Sequence, residues 1–207
     1  HAHIDHSGLL PRLVTLGYDG PIVTTEATRD LCEIMLADSA YIQEEDAKYD
    51  LHKWREQGRV GSPPEPLYTR DDVPVTMSQF QGVAYDEITE LNEGLRVRFR
   101  DAGHILGSAI IELWIGSGDD ETKLVFSGDI GGYNRPILRD PEPIDSADYL
   151  IMESTYGDRV HPPMADHISK FKEAINEVLG RGGHLLIPAF AVGRTQEVLY
   201  DLNILLS

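Results

Sequence analysis

Three histidines and an aspartate crowd the first six positions, as His1-Ala-His3-Ile-Asp5-His6. Imidazole nitrogens and carboxylate oxygens are donor types that hold zinc. Residues i and i+2 of an extended segment share one face, so His1 and His3 can converge on one ion. A straight strand would also put Asp5 on that face and His6 opposite, whereas Ser7-Gly8 permits a sharp turn that could swing Asp5 and His6 toward a second ion. A chance cluster or an affinity tag is the competing reading, disfavoured by the interleaved aspartate and the amphipathic segment that follows.

Four later places carry groups of the right kind. His104 sits among glycines in Asp101-Ala-Gly-His104-Ile-Leu-Gly-Ser108, where a turn can present it as a third ligand. A lone loop histidine is more often just hydrogen-bonded, and its weight comes from the company it keeps. Asp129 follows a buried run in Phe126-Ser-Gly-Asp129, the usual place for site residues in α/β folds, although alone it reads equally as a turn residue. With the other candidates it becomes a natural metal-bridging carboxylate. Glu153 ends the apolar run Ile151-Met-Glu153-Ser-Thr-Tyr-Gly157, as a supporting acid or a cap. Gly193-Arg194 lies where a strand feeds a helix N-terminus, which favours an anion such as phosphate; packing and capping explain such a junction equally well.

The elements that position these groups follow from periodicity. Helical spacing marks Leu9 to Leu16, Glu26 to Ile42, a weaker stretch from Arg70 to Phe80, Met164 to Leu179, and Ala191 onward. Strands are predicted at Pro21 to Thr25, Gly82 to Tyr85, Leu95 to Phe99, Ala109 to Ile115, Lys123 to Phe126, Tyr149 to Met152 and Leu185 to Phe190. Between Gln43 and Pro66 the text is charged and broken by Gly58, Gly61 and Pro63-Pro64, which predicts a surface excursion without its own core. Strands in the middle with helices outside imply a layered α/β sandwich.

Composition narrows the functions. The 207 residues are 41% hydrophobic and 26% charged, the profile of a soluble globular protein. No apolar run approaches the ~20 residues of a membrane span, and with Cys32 alone no internal disulfide or CxxC zinc site can form, so the cytoplasm is the expected address. Thirty-five acidic against 18 basic residues, net charge -17, exclude a generic polyanion-binding surface. They leave room for a site where divalent cations supply the positive charge. A start inside a motif and an uncapped helix at Ser207 lead us to expect a segment of a longer protein.

The order His-x-His-x-Asp-His, Gly-His104, Ser-Gly-Asp129 and Glu153-Ser-Thr-Tyr-Gly resembles the metallo-β-lactamase superfamily. Together with Pro188-Ala-Phe-Ala-Val-Gly-Arg-Thr-Gln-Glu197, it resembles specifically the β-CASP group of RNA-processing nucleases that includes the cleavage and polyadenylation endonuclease. Ala2, Ile4 and Ser7 look more like its prokaryotic branch. The resemblance implies an α/β metallo-β-lactamase αββα sandwich, incomplete at both ends. Residues 1–160 would form the metallo-β-lactamase domain, without its first strands and with 43–80 as surface excursion; 161–207 would begin the β-CASP domain.

It also implies roles. His1, His3 and His104 match the ligands of one Zn2+, Asp5 and His6 those of a second, and Asp129 the carboxylate bridging both. Glu153 matches an acidic residue that supports the histidine protonating the leaving group, and Gly193 and Arg194 stand as substrate-binding candidates. The implied activity is a zinc-dependent ribonuclease in RNA processing or decay, in which a hydroxide bridging two zincs ~3.5 to 4 Å apart attacks phosphorus and Asp5 orients it. Single-stranded RNA is the implied partner, with single-stranded DNA, a homodimer and a processing complex left open, and no membrane. The segment alone is expected to be inactive. The rivals are another hydrolase of this fold, acting on a thioester, lactone or small phosphodiester, and a non-catalytic scaffold subunit that has lost ligands.

Overall fold

The computed structural model describes residues 1–160 and 167–206. The chain folds as a mixed α/β structure: α1 (Ile4–Ser7), α2 (Leu10–Thr15), β1 (Ile22–Thr25), α3 (Glu26–Glu56), α4 (Asp72–Met77), β2 (Phe80–Val83), β3 (Thr89–Asn92), β4 (Leu95–Asp101), β5 (Ala109–Ile115), β6 (Thr122–Phe126), β7 (Tyr149–Ile151), α5 (His167–Gly180) and α6 (Arg194–Leu206). Strands β1 and β2 pair in parallel, and β3 to β7 form a second sheet in sequence order. That sheet is antiparallel as far as β6, and β7 then joins β6 in parallel.

The apolar face of α3 packs Cys32, Leu36 and Ala40 with Ala2, Ile22, Tyr68, Val73 and Phe80, so the helix joins the N-terminal histidine segment to the small sheet. A second cluster, Ala102, Ile110 and Val125 with Ile144 beside it, backs the large sheet. On that sheet Arg98 faces Glu112 and Lys123 faces Trp114 across the strands. Glu112, only 1% exposed, is held by Arg98 and Lys123 at 2.6 Å each. Both cations also lie over the Trp114 ring.

Several expectations are corrected. Residues 43–56 are the second half of a 31-residue helix, not an irregular excursion. Their charges belong to strong helix formers, with no glycine or proline before Gly58. Pairs one turn apart, Lys48 with Glu45 and His52 with Glu56, lace the helix surface. The irregular part is confined to Gly58–Pro66 and neighbouring turns. Strand β2 lies two residues earlier than predicted because its register is fixed by β1, Phe80 beside Ile22 and Val83 beside Thr25. Strand β3 went unpredicted: it is a short, mostly exposed edge strand that depends on the turn at Gly94 and on β4.

Leu185 to Phe190 forms no strand. The segment pairs with no neighbour among the described residues, and without a ladder β-propensity alone cannot hold a strand; Leu186 remains 89% exposed. The predicted helix from Met164 is seen from His167, and Met164 to Asp166 lie outside the described residues. Among the described residues no helix is long and apolar enough to cross a membrane.

Candidate metal centre

The chain leaves its extended conformation at His3 and turns directly into α1, earlier than Ser7-Gly8 would have required. Backbone N–H groups of His6 and Ser7 donate to the His3 carbonyl at 3.0 Å, and the buried Ser7 hydroxyl donates to the carbonyls of Ala2 and His3. This tight winding puts His1, His3 and His6 on one side. The His1 and His6 rings stack obliquely with centroids 4.0 Å apart.

His104 reaches the same place from the turn between β4 and β5. Ser108 Oγ, fully buried, accepts the backbone N–H groups of His104 (3.0 Å) and Ile105 (3.2 Å). The Gly107 carbonyl accepts the Thr25 and Thr28 hydroxyls, both at 2.7 Å, so the start of α3 fixes the histidine loop. Thr25 meanwhile caps that helix through the Thr28 N–H. From the far side the Tyr85 hydroxyl donates to the Ser108 carbonyl at 2.8 Å, and burial first, then nearby Asp101, holds the phenol strongly protonated.

Asp129 arrives from the loop after β6. That loop touches the histidine loop so closely that a Cβ on Gly131 would lie 1.7 Å from the Gly103 carbonyl oxygen; only glycine permits the contact. The Gly131 N–H donates to the Ala102 carbonyl at 2.8 Å, which locks the two loops in register.

The donor atoms converge. His1 Nε2 is 3.0 Å from His3 Nδ1, and His104 Nε2 is 3.4 Å from the same Nδ1. Asp129 Oδ2 lies 3.6 Å from His1 Nε2 and 3.5 Å from His104 Nε2. Tetrahedral zinc with bonds of about 2.0–2.1 Å has donors about 3.3 Å apart, close to these four distances, and all four donor atoms lie within 4.8 Å of one another. The other carboxylate oxygen, Oδ1, lies 3.5 Å from His6 Nε2, and His6 is in turn 3.7 Å from Asp5 Oδ2. Asp129 thus offers one oxygen to the His1, His3, His104 group and the other to His6 and Asp5. Asp5 is 78% exposed and marks the open rim.

Electrostatics favours a ligand-ready His104 imidazole. Burial, and then the neighbouring His3 and His6, lower the pKa of His104 against the pull of Asp129, so its ring is neutral with a lone pair to give. His3 presents Nδ1 to the cluster while its Nε2 sits 3.4 Å from the Val192 carbonyl. A backbone acceptor on the outer nitrogen is the arrangement that fixes the tautomer of a metal-binding histidine.

The remaining candidates are placed differently. The Glu153 side chain accepts the Ile130 N–H at 2.6 Å, next to Asp129, and joins the site from behind. Gly193 adjoins the cluster through Val192, but its N–H donates to Gln196 Oε1 at 2.7 Å. Arg194 is turned to Glu197 at 2.6 Å. Neither group points at the site as an anion binder. Sequence reasoning missed Ser108, Thr25, Thr28, Gly131 and the Val192 carbonyl. Only the Gly-Ser pair at 107–108, three and four residues after His104, carried a readable sign of a clasped loop.

Comparison with known proteins agrees with the motif order. No family model matches the chain. The chain is 37% identical over 202 residues to "Ribonuclease TTHA0252" of Thermus thermophilus, covering 98% of the chain and 41% of that protein. It is 35% identical over 210 residues to "Transcription termination factor FttA" of Pyrococcus abyssi and 36% over 207 to the protein of that name in Cenarchaeum symbiosum, covering 29% of each. The chain therefore spans less than half the length of these relatives. Similarity that extends over nearly the whole length of the chain, together with the motif order, supports its placement in the β-CASP nuclease group.

Proposed function

We propose that the protein containing this chain is a zinc-dependent ribonuclease of metallo-β-lactamase fold that hydrolyses phosphodiester bonds of single-stranded RNA at a two-metal site. The observation that carries the reading is the Asp129 carboxylate, one oxygen toward each histidine group. The name of the Thermus relative supports the activity.

Zinc bound there would supply positive charge for a phosphodiester and an acidified water. The chain's own residues do the rest. His1, His3 and His104 would hold one ion, and Asp5 and His6 the other. Burial keeps the His104 ring neutral, and the Val192 carbonyl keeps the His3 lone pair on Nδ1. Asp5, exposed at the open rim beside His6, would accept a hydrogen bond from the attacking water and orient it. Because Arg194 and the Gly193 N–H are engaged within α6, substrate grip falls chiefly to the centre itself, which suits a chain of net charge -17. The buried lone Cys32 fits a reducing cytoplasm.

The test is cleavage of end-labelled single-stranded RNA by the full-length natural protein, before and after chelation, beside His3→Ala and Asp129→Ala. Loss of cleavage on chelation and in both variants, with restoration by zinc in the wild type alone, is expected. Folded, zinc-loaded protein that leaves RNA intact while hydrolysing a thioester would refute the nuclease reading.

A further inference from the structure

We propose that Glu153 is a positioning residue: its side chain holds the loop carrying Asp129 by accepting a backbone hydrogen bond, and that role needs an acceptor oxygen, not a negative charge. The inference rests on the site being a metal centre. It differs from the role implied by family resemblance, in which the acid supports a histidine elsewhere.

Strand β7 and its continuation grip the loop on both sides of Asp129. Glu153 Oε1 accepts the N–H of Ile130, the next residue, at 2.6 Å. The Glu153 N–H donates to Ser127 Oγ at 3.0 Å. Ser127 is buried; its hydroxyl donates to the Gly128 carbonyl at 2.6 Å and its N–H to the Ile151 carbonyl at 2.9 Å. Residues 127, 128 and 130 are therefore tied down, leaving the Asp129 side chain as the free end of a clamped arch. The arch has to be stiff, because Asp129 faces His1 and His104 with one oxygen and His6 with the other at 3.5–3.6 Å, and a small rotation that improves one set worsens the other.

A glutamine carbonyl can accept the same N–H, whereas alanine leaves Ile130 unheld. The two substitutions therefore separate positioning from charge. The full-length natural protein is stripped of metal and titrated with Co2+, reading stoichiometry, affinity and the visible absorption spectrum. Wild type is expected to take two ions. Glu153→Ala is expected to bind the second ion at least tenfold more weakly and to change the spectrum, in line with the ~10–100-fold effects of outer supports. Glu153→Gln is expected to keep both ions and the wild-type spectrum. Ser127→Ala, which removes the other half of the clamp, is expected to reproduce the alanine effect and serves if Glu153→Ala does not fold.

If Glu153→Ala and Ser127→Ala bind two ions like wild type, or Glu153→Gln fails as badly as Glu153→Ala, the inference is wrong. Wild type that binds no metal would overturn the metal-centre reading itself, and this inference with it.

Discussion

Replacing Gly131 by alanine tests whether the close contact of two loops sets the metal geometry. The new Cβ would sit 1.7 Å from the Gly103 carbonyl oxygen and 2.8 Å from the His104 nitrogen, where real Cβ contacts do not fall below 3.0 Å. Both atoms belong to backbone, so no flexible side chain can yield. The loops would part by the difference, about 1.3 Å, against a tolerance of ~0.2 Å in metal–ligand distance. His104 and Asp129 ride on opposite sides of that contact, so they cannot stay within reach of one ion. We expect metal affinity to fall about 100-fold, the upper end for loss of a supporting interaction. Overpacking and the lost Gly131–Ala102 hydrogen bond should cost about 2–4 kcal/mol. Competition with a chromophoric chelator gives the affinity, and thermal melting of the metal-free protein gives the stability. Gly132→Ala is the control, because its Cβ would meet only the flexible Arg135 side chain, at 3.2 Å, and should be close to neutral. Wild-type affinity and melting in Gly131→Ala would show that the loop contact does not set the site.

Other perturbations probe the supports. Ser108→Ala strands the N–H groups of His104 and Ile105 and should cost about 2 kcal/mol together with metal affinity, read by melting and chelator competition. Thr28→Val alone should cost under about 1 kcal/mol, since Thr25 still donates to the Gly107 carbonyl; with Thr25→Val added, the loss should exceed the sum of the singles, as a double-mutant cycle would measure. Burial would raise the pKa of Glu112, but hydrogen bonds and charges from Arg98 and Lys123 together outweigh it and hold the carboxyl below its ordinary range. A depressed folded value means stabilisation that is complete above the unfolded pKa, about 4.3, and lost as pH falls through the folded one. Wild type should therefore lose melting temperature more steeply below about pH 4.3 than Glu112→Gln. At neutral pH the same substitution should destabilise by about 3 kcal/mol, because it leaves two cations facing a neutral group.

What the sequence disclosed depended on how local each signal was. The N-terminal trio of histidines with Asp5, the loop glycines around His104 and the apolar runs ending at Asp129 and Glu153 are contiguous patterns, and the structure gathers those residues. Strand β3 and the failed strand at Leu185 to Phe190 show the limit, since a strand exists only where a neighbour supplies a ladder, and pairing is not written in either segment. The second half of α3 was misread because charge was taken for irregularity, although its residue types favour a helix. The clamp on Asp129 was invisible because the Ser127 and Glu153 side chains act on backbone groups of Gly128, Ile130 and Glu153, whose partners no side-chain pattern announces.

The separation of the ligands along the chain bears on folding. His104 meets His3 across 101 positions, and the Val192 carbonyl meets it across 189. Of the centre's candidate ligands, an unfolded chain holds only His1, His3, Asp5 and His6 close together in sequence; His104 and Asp129 join once the large sheet has formed and its loops have docked. Loop-closure entropy makes such long-range contacts slow to form, so the centre completes late in folding. Because the native state contributes donors that the unfolded chain cannot assemble, ion binding pulls the equilibrium toward the folded protein, and apparent stability should rise with free metal concentration once binding to the local quartet is exceeded.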